Sequence, residues 1–321
     1  MFWRTDRSTA RRTARRAGLV VAATVVVLPL ASCTSDPAGD PAATSTAPFP
    51  PEQFRTDAQD ELRALETQLG GRIGIYAVDT GTGLTRTYKA DERFPFASTY
   101  KALAAASILS MGTPESLDVR VPYTRADLVP HSPITEQHVD DGMSMRQILD
   151  AAVRYSDNTA GNLLFRASGG PKGLQQSLQG FGDEVTSMDR IEPDLNQTTP
   201  GDIRDTSTPR ALATDLRNFF REPTIGQDAA RILSGLLRAN TTGDTLIRSV
   251  APDGWDVGDK SGSGSYGTRN DLAVLWPPGR GPIVMAVMTT RDHPEAGYDD
   301  KVVAQAAAIA IIAMNGTPVT R

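Results

Sequence analysis

The chain has 321 residues, 39% of them apolar and 22% charged, enough for one large domain whose core needs neither disulfide nor metal. Its net charge of −5 becomes about −10 once residues 1–32, with six arginines and one aspartate, are set aside, and so acidic a surface argues against nucleic-acid binding. The single cysteine allows no internal disulfide, and the three histidines (His131, His138, His293) lack metal-ligand spacing, so no metal cofactor is expected.

Residues 1–32 read as a signal peptide. Arg4, Arg7, Arg11, Arg12, Arg15 and Arg16 precede an apolar run from Gly18 to Leu30, shorter than the ~20 residues needed to span a bilayer. The run ends Leu30-Ala31-Ser32-Cys33, which resembles the lipobox of bacterial lipoproteins. That likeness implies cleavage before Cys33, lipidation of its thiol, and a protein anchored outside the cell membrane or in the periplasm. The arginine pairs also suit a twin-arginine route, so two export routes stay open. Residues 33–51, rich in small residues and proline, read as a flexible tether, with ordered structure expected from near Pro51.

Phe54, Ala58, Leu62, Leu65 and Leu69 then fall at helical spacing, and Gly70-Gly71 stops the helix. Ile73, Ile75 and Ala77 alternate as in a strand, Asp79–Gly83 supplies a turn, and a second strand follows at Leu84–Lys89. A long helical block comes next. Its clearest member has Ser144 as N-cap and Met145, Ile148, Leu149, Ala152 and Val153 on one face. Strand signals return at Val257–Ser263, Asp271–Trp276 and Ile283–Thr289, and an Ala/Ile-rich helix runs from about Asp300 to Met314 before Gly316 and Pro318. The order predicts an α/β (α+β) fold: an antiparallel sheet flanked by helices, from about 52–93 and 238–321, with an inserted all-α lobe at about 94–237.

Three short motifs carry chemistry. In Ser98-Thr99-Tyr100-Lys101, three residues of helix bring hydroxyl and amine to one face, and a serine needs such a neighbour to become a nucleophile. A helix start there would also offer free N–H groups to an oxyanion. Ser156-Asp157-Asn158 places a hydroxyl that could pass a proton to a leaving nitrogen and an amide that could hold a substrate carbonyl. In Lys260-Ser261-Gly262 the lysine is a point charge for an anion, the serine a hydrogen-bond donor to a carboxylate, and the glycine lets ligand and backbone approach. Each tripeptide or tetrapeptide alone is ordinary.

In that order, the three form the set of class A β-lactamases and penicillin-binding proteins, which the chain resembles from about residue 54 to 314. Arg190-Ile191-Glu192-Pro193-Asp194-Leu195-Asn196 decides between them, because it resembles the Ω-shaped loop of class A serine β-lactamases, which penicillin-binding proteins lack. The likeness implies that Glu192 activates water, Asn196 helps hold that water, Glu192–Pro193 is a cis peptide, and Arg190 pairs with Asp205 at the loop base. It implies hydrolysis of the β-lactam amide of penicillins and cephalosporins, hence antibiotic resistance. Ser98 would form an acyl-enzyme, with its ring carbonyl between the backbone N–H groups of Ser98 and Ser263. Either Lys101 or, through water, Glu192 takes the serine proton, and Lys101 with Ser156 reprotonates the ring nitrogen. The substrate carboxylate would dock on Lys260, Ser156, Ser261 and one arginine, with Arg248 and Arg269 both matching family positions. His131 stands where the family often has an aromatic rim residue. Beyond small β-lactams and a membrane held through Cys33, no partner is implied, and a monomer is expected. A penicillin-binding protein and a catalytically dead binding protein remain as alternatives, which turnover of a penicillin would separate.

Overall fold

Alternation in the last long strand dictates layers on both sides of a sheet. Along Ile283–Arg291, the side chains of Ile283, Met285 and Val287 enter one apolar cluster, and those of Val284, Ala286 and Met288 enter another. A strand apolar on both faces must be covered on both. The structure, a computed structural model, describes residues 54–220 and 224–315. The expected signal peptide, Cys33, the tether, its end near Pro51, and the residues Gly316 and Pro318 lie outside these.

In chain order, the elements begin with α1 (Thr56–Leu69), β1 (Gly71–Asp79), β2 (Thr85–Tyr88), β3 (Phe94–Pro95) and α2 (Tyr100–Met111). There follow β4 (Arg120–Val121), β5 (Met143–Ser144), α3 (Met145–Arg154), α4 (Asn158–Ala167) and α5 (Pro171–Gly180). The rest are β6 (Thr206–Ser207), α6 (Pro209–Phe219), α7 (Gly226–Arg238), β7 (Asp256–Gly264), β8 (Thr268–Trp276), β9 (Ile283–Arg291) and α8 (Asp300–Asn315). The five-stranded sheet has the order β2-β1-β9-β8-β7 and every neighbouring pair is antiparallel. The first and last strands meet in the middle, because β1 pairs along its whole length with β9, from Gly71 opposite Arg291 to Asp79 opposite Ile283.

Local signals account for the boundaries. Gly70 adopts φ 64°, the left-handed conformation that closes α1, and its N–H bonds the Glu66 carbonyl. Ser144 caps α3 in a reciprocal box with Gln147. Helices α1 and α8 cover one face of the sheet over Ile73, Ile75, Ala273 and Leu275. On the other face, α2 runs through the centre of a larger core with Leu103 and Tyr100 fully buried, and Tyr100 stacks on Phe165 of α4 at 4.6 Å between ring centres. Burying a side chain of leucine size contributes about 1.5–3 kcal/mol, so this core fixes the helix that carries the Ser98 segment. Helix α6, expected in the helical lobe, packs instead on β1 and β9. Lobe and sheet therefore share one core. The two-residue strands were not anticipated; β3 pairs with β6 and links the segment before Ser98 to Thr206 and Ser207.

Candidate active site

Ser98 sits in a 3₁₀ turn, Ala97–Thr99, that leads directly into α2. The expected α-helix start thus lies two residues further on, at Tyr100. Two side chains hold the turn with three hydrogen bonds. Thr99 Oγ1 donates to the Phe96 carbonyl at 2.7 Å, and Asn270 Nδ2 of β8 donates to the carbonyls of Pro95 (2.7 Å) and Phe96 (3.2 Å). Ala97 has φ 47°, a left-handed conformation that disfavours a side chain, so surrounding contacts must hold it.

One turn along, Lys101 is fully buried. Its Nζ donates to Ser98 Oγ (3.0 Å), the Ser156 carbonyl (2.8 Å) and Asn158 Oδ1 (2.7 Å), and lies 3.0 Å from Glu192 Oε1. Burial pushes its pKa down, and the Glu192 charge opposes the shift. A glycine makes room for this amine: a Cβ at Gly161 of α4 would stand 2.7 Å from Lys101 Cε and 2.4 Å from Tyr100 Oη.

Asp157 turns the chain between α3 and α4. Its carboxylate accepts from the backbone N–H groups of Ala160, Ile134 and Thr135 and from Thr135 Oγ1. That knot leaves Ser156 at φ 56° with Oγ 3.1 Å from Lys260 Nζ. Asn158 uses its amide oxygen on Lys101 and donates from Nδ2 to the Pro130 carbonyl at 2.9 Å, which leaves its second N–H uncommitted. His131 is exposed, and its carbonyl accepts from the Asn158 N–H at 2.9 Å.

Glu192 is 1% exposed and reaches the site from the loop between α5 and β6. Ser98 Oγ lies 3.4 Å from Oε1, and Asn196 Nδ2 donates to Oε2 at 2.5 Å. The Glu192–Pro193 peptide is cis. Arg190 Nε meets Asp205 Oδ2 at 2.5 Å, and Asp205 Oδ1 accepts from the N–H groups of Asp189 and Arg190. Asn162, which the sequence reading missed, grips the Glu192 backbone at both ends: the Glu192 N–H donates to its Oδ1 (2.8 Å), and its Nδ2 donates to the Glu192 carbonyl (2.9 Å). Asn162 lies one helical turn after Asn158, a spacing that could have flagged it. Ser265 was also missed. Its N–H and Oγ both donate to the Asn196 carbonyl at 3.0 Å, which ties the loop to the turn after β7.

The third wall is β7, an edge strand. Lys260 is fully buried, and burial with the nearby Lys101 charge pushes its pKa down to about 7. Ser261 Oγ pairs with Thr242 Oγ1 at 2.6 Å, a contact that no motif announces. A Cβ on Gly262 would stand 3.1 Å from both Ser98 N and the Phe96 carbonyl, so only a bare backbone passes comfortably beside the serine. Ser263 follows, exposed.

The two arginines part ways. Arg248 is spent within the protein: it donates to Asp259 Oδ1 (2.6 and 3.1 Å) and to the carbonyls of Leu237 and Arg238 at the end of α7. The expectation that it binds substrate is corrected accordingly, since a guanidinium so engaged serves the helix terminus. Arg269 lies close enough for its charge to lower Lys260, but Asp300 pairs with it at 2.6 Å.

The arrangement brings a hydroxyl, an amine with a lowered pKa and a buried carboxylate together beside a strand edge, which suits acyl transfer. The model of the β-lactamase enzyme family matches residues 57–314. A β-lactamase of Amycolatopsis lactamdurans is 56% identical over 256 residues, covering 80% of this chain and 85% of its own. One from Bacillus amyloliquefaciens is 55% identical over 247 residues, covering 77% and 81%. Among solved structures, the class A β-lactamase of Clostridium kluyveri superposes with a TM-score of 0.80 at 45% identity, covering 81% of this chain and all of that one. The class A enzyme of Mycobacterium abscessus gives 0.76 at 44%, with 81% of this chain and all of that one covered. With more than three quarters of its length matched at such identity, the chain belongs to the β-lactamase enzyme family, as a class A serine β-lactamase.

Proposed function

We propose that this protein hydrolyses β-lactams, and so confers resistance to them, through an acyl-enzyme on Ser98 that water activated by Glu192 then clears. The observation that carries the reading is the convergence on one hydroxyl: Lys101 Nζ at 3.0 Å and Glu192 Oε1 at 3.4 Å from Ser98 Oγ, all three nearly or fully buried. Ser98 Oγ attacks the ring carbonyl carbon, and its proton goes to Lys101. The shorter distance and the lowered lysine pKa support Lys101 over Glu192 for this step. The C–N bond breaks, the Ser156 hydroxyl gives its proton to the ring nitrogen, and Lys101, held beside Ser156 by a bond to its backbone carbonyl, restores that proton; the Ser156 hydroxyl also accepts from Lys260. Water then gives a proton to Glu192, attacks the ester carbon, and Oγ leaves with the proton restored. Backbone N–H groups of Ser98 and Ser263 hold the oxyanion; losing one such donor costs about 10²–10³ in rate. Lys260 and Ser261 take the substrate carboxylate, with the Arg269 charge beside them.

Excess benzylpenicillin added to purified residues 34–321 tests the proposal. Many moles hydrolysed per mole of protein are expected, and none after Ser98→Ala. One equivalent consumed, with a lasting adduct on Ser98, would instead mean a penicillin-binding protein; no consumption would mean a non-catalytic one.

We also propose that the chain is exported and held to the membrane by a lipid on Cys33, on the strength of the basic flank, the apolar run and the Leu-Ala-Ser-Cys sequence. Cys33→Ala should move the protein from the membrane fraction to the soluble one. An unchanged distribution would refute the anchor.

A further inference from the structure

A second cavity lies apart from the Ser98 cleft. About 440 Å³ opens between the returning arm of the Glu192 loop (198–206), the segment before Ser98, and the paired ends of β1 and β9. Its lining carries three arginines and three carboxylates, but they are not paired one to one with each other. Arg72 is paired with Glu92 at 2.9 Å, and Asp202 with Arg204 at 2.7 Å. Arg93 also lines the cavity; its donors go to the Val185 carbonyl and to Thr206, with no carboxylate among the described residues. Arg291 has no side-chain partner at all among the described residues, and its Nε is buried without a hydrogen bond. Buried donors in folded proteins are nearly always met, so an unmet arginine Nε on a cavity wall points to a missing acceptor. Two hydroxyls on the same wall, Thr199 and Tyr266, also make no hydrogen bond within the described residues, while the only unpaired acid there, Asp292, is exposed.

We infer that this cavity binds a small oxyanion, a carboxylate or phosphate compound bearing hydroxyl groups, at a site separate from the Ser98 cleft. Arg291 supplies the charged donor, Arg93 a second positive charge, and Thr199 and Tyr266 the neutral donors that a hydroxylated anion would meet. The size suits a molecule of several heavy atoms rather than a single ion. The site also borders the arm that positions the catalytic loop. Thr198 N–H donates to Ser265 Oγ, and Asp205 at the arm's far end anchors Arg190. An occupant bridging Arg291 and Thr199 would therefore brace the arm without touching the reacting groups.

Calorimetry and thermal unfolding with sodium citrate and with sodium phosphate, each against sodium chloride at matched ionic strength, test this and tell the two chemistries apart. Saturable binding is expected for at least one, with Tm raised by about 3–6 °C at ten times Kd. Arg291→Gln and, independently, Thr199→Val should each weaken it, Arg291→Gln by about tenfold or more. Lys260→Gln, which disables the carboxylate site of the Ser98 cleft, should leave it intact. Loss in Lys260→Gln with full binding in both cavity variants would place the anion in the cleft and overturn the inference, as would the absence of saturable binding. A crystal grown in the better ligand should show it against Arg291.

Discussion

Replacing Glu192 by Gln separates the two halves of the proposed reaction. The side chain keeps its size and can still accept from Asn196, but loses its charge 3.0 Å from Lys101 Nζ. At an effective dielectric of ~20, that pair is worth about 5 kcal/mol in favour of a charged lysine. With it gone, only the weaker influence of Asp157 still opposes burial at Lys101 and its pKa falls further, so more of the free amine is present at neutral pH. Acylation through Lys101 should therefore persist within about tenfold. Deacylation loses its general base, worth about 10²–10⁴. From a typical turnover of ~10 s⁻¹, the lifetime of the adduct should lengthen from ~0.1 s to between about 10 s and 10³ s. Quenched-flow mixing with benzylpenicillin, read by intact-mass spectrometry, follows both steps, because ring opening on Ser98 adds the whole mass of the drug. Failure of Glu192→Gln to acylate would transfer the first proton to Glu192, and an adduct cleared at the wild-type rate would remove Glu192 from the second step.

Other outcomes follow from single contacts. Lys260 titrates near 7 in the folded protein against 10.5 in the unfolded chain, so it binds fewer protons folded than unfolded across that interval. Its linked contribution to stability therefore rises with pH from about 7 to 10.5, whereas its charge on the substrate carboxylate fades. KM for benzylpenicillin should rise, by up to about tenfold between pH 7 and 8, with kcat moving less, and Lys260→Arg should flatten the rise. In Gly161→Ala the new methyl displaces Lys101, at a cost of about 1–3 kcal/mol in urea unfolding and about 10²-fold in acylation; a variant as fast as wild type would deny the lysine its role. Asp215 is pushed up to about 10 by burial and by neighbouring Asp183, so the folded state keeps a proton that the unfolded chain releases above the ordinary value of 3.8. Stability should thus fall as pH rises through that interval, and Asp215→Asn should gain on wild type by about 1–3 kcal/mol more at pH 9 than at pH 5 in urea titrations. An equal difference at both pH values would contradict the assignment.

Strands β1, β7, β8 and β9 and helices α1, α3 and α8 were legible because their apolar periodicity and caps are local. The short pairs β3–β6 and β4–β5 were not, since two residues carry no period and their pairing depends on the lobe closing. The same divide runs through the site. Ser98, Lys101, Ser156, Glu192 and Lys260 could be named because each stands in a short motif, and the structure brings all five within one hydrogen-bonded cluster. Thr242 could not be named: nothing near it in sequence indicates that a loop residue 19 positions before Ser261 meets its hydroxyl.

The arginines show why position along the chain is a poor guide to the direction of a long side chain. Arg248 and Arg269 both answered to family positions, yet one follows a helix whose unpaired carbonyls and a buried aspartate claim its donors. The other stands on β8, one strand in from Lys260, with its guanidinium beside Asp300 and 4.9 Å from the Tyr298 ring. A residue's alternative partners decide its availability, and those partners come from elsewhere in the fold. The same reasoning applied to Asp300 says that it competes with any substrate carboxylate for Arg269. Its own pKa is lowered by Arg269 and Thr245 against the opposing effect of burial, so it stays charged under all ordinary conditions. The contest is then settled by geometry rather than by pH, which leaves Lys260 as the one carboxylate-binding group whose charge changes near neutrality.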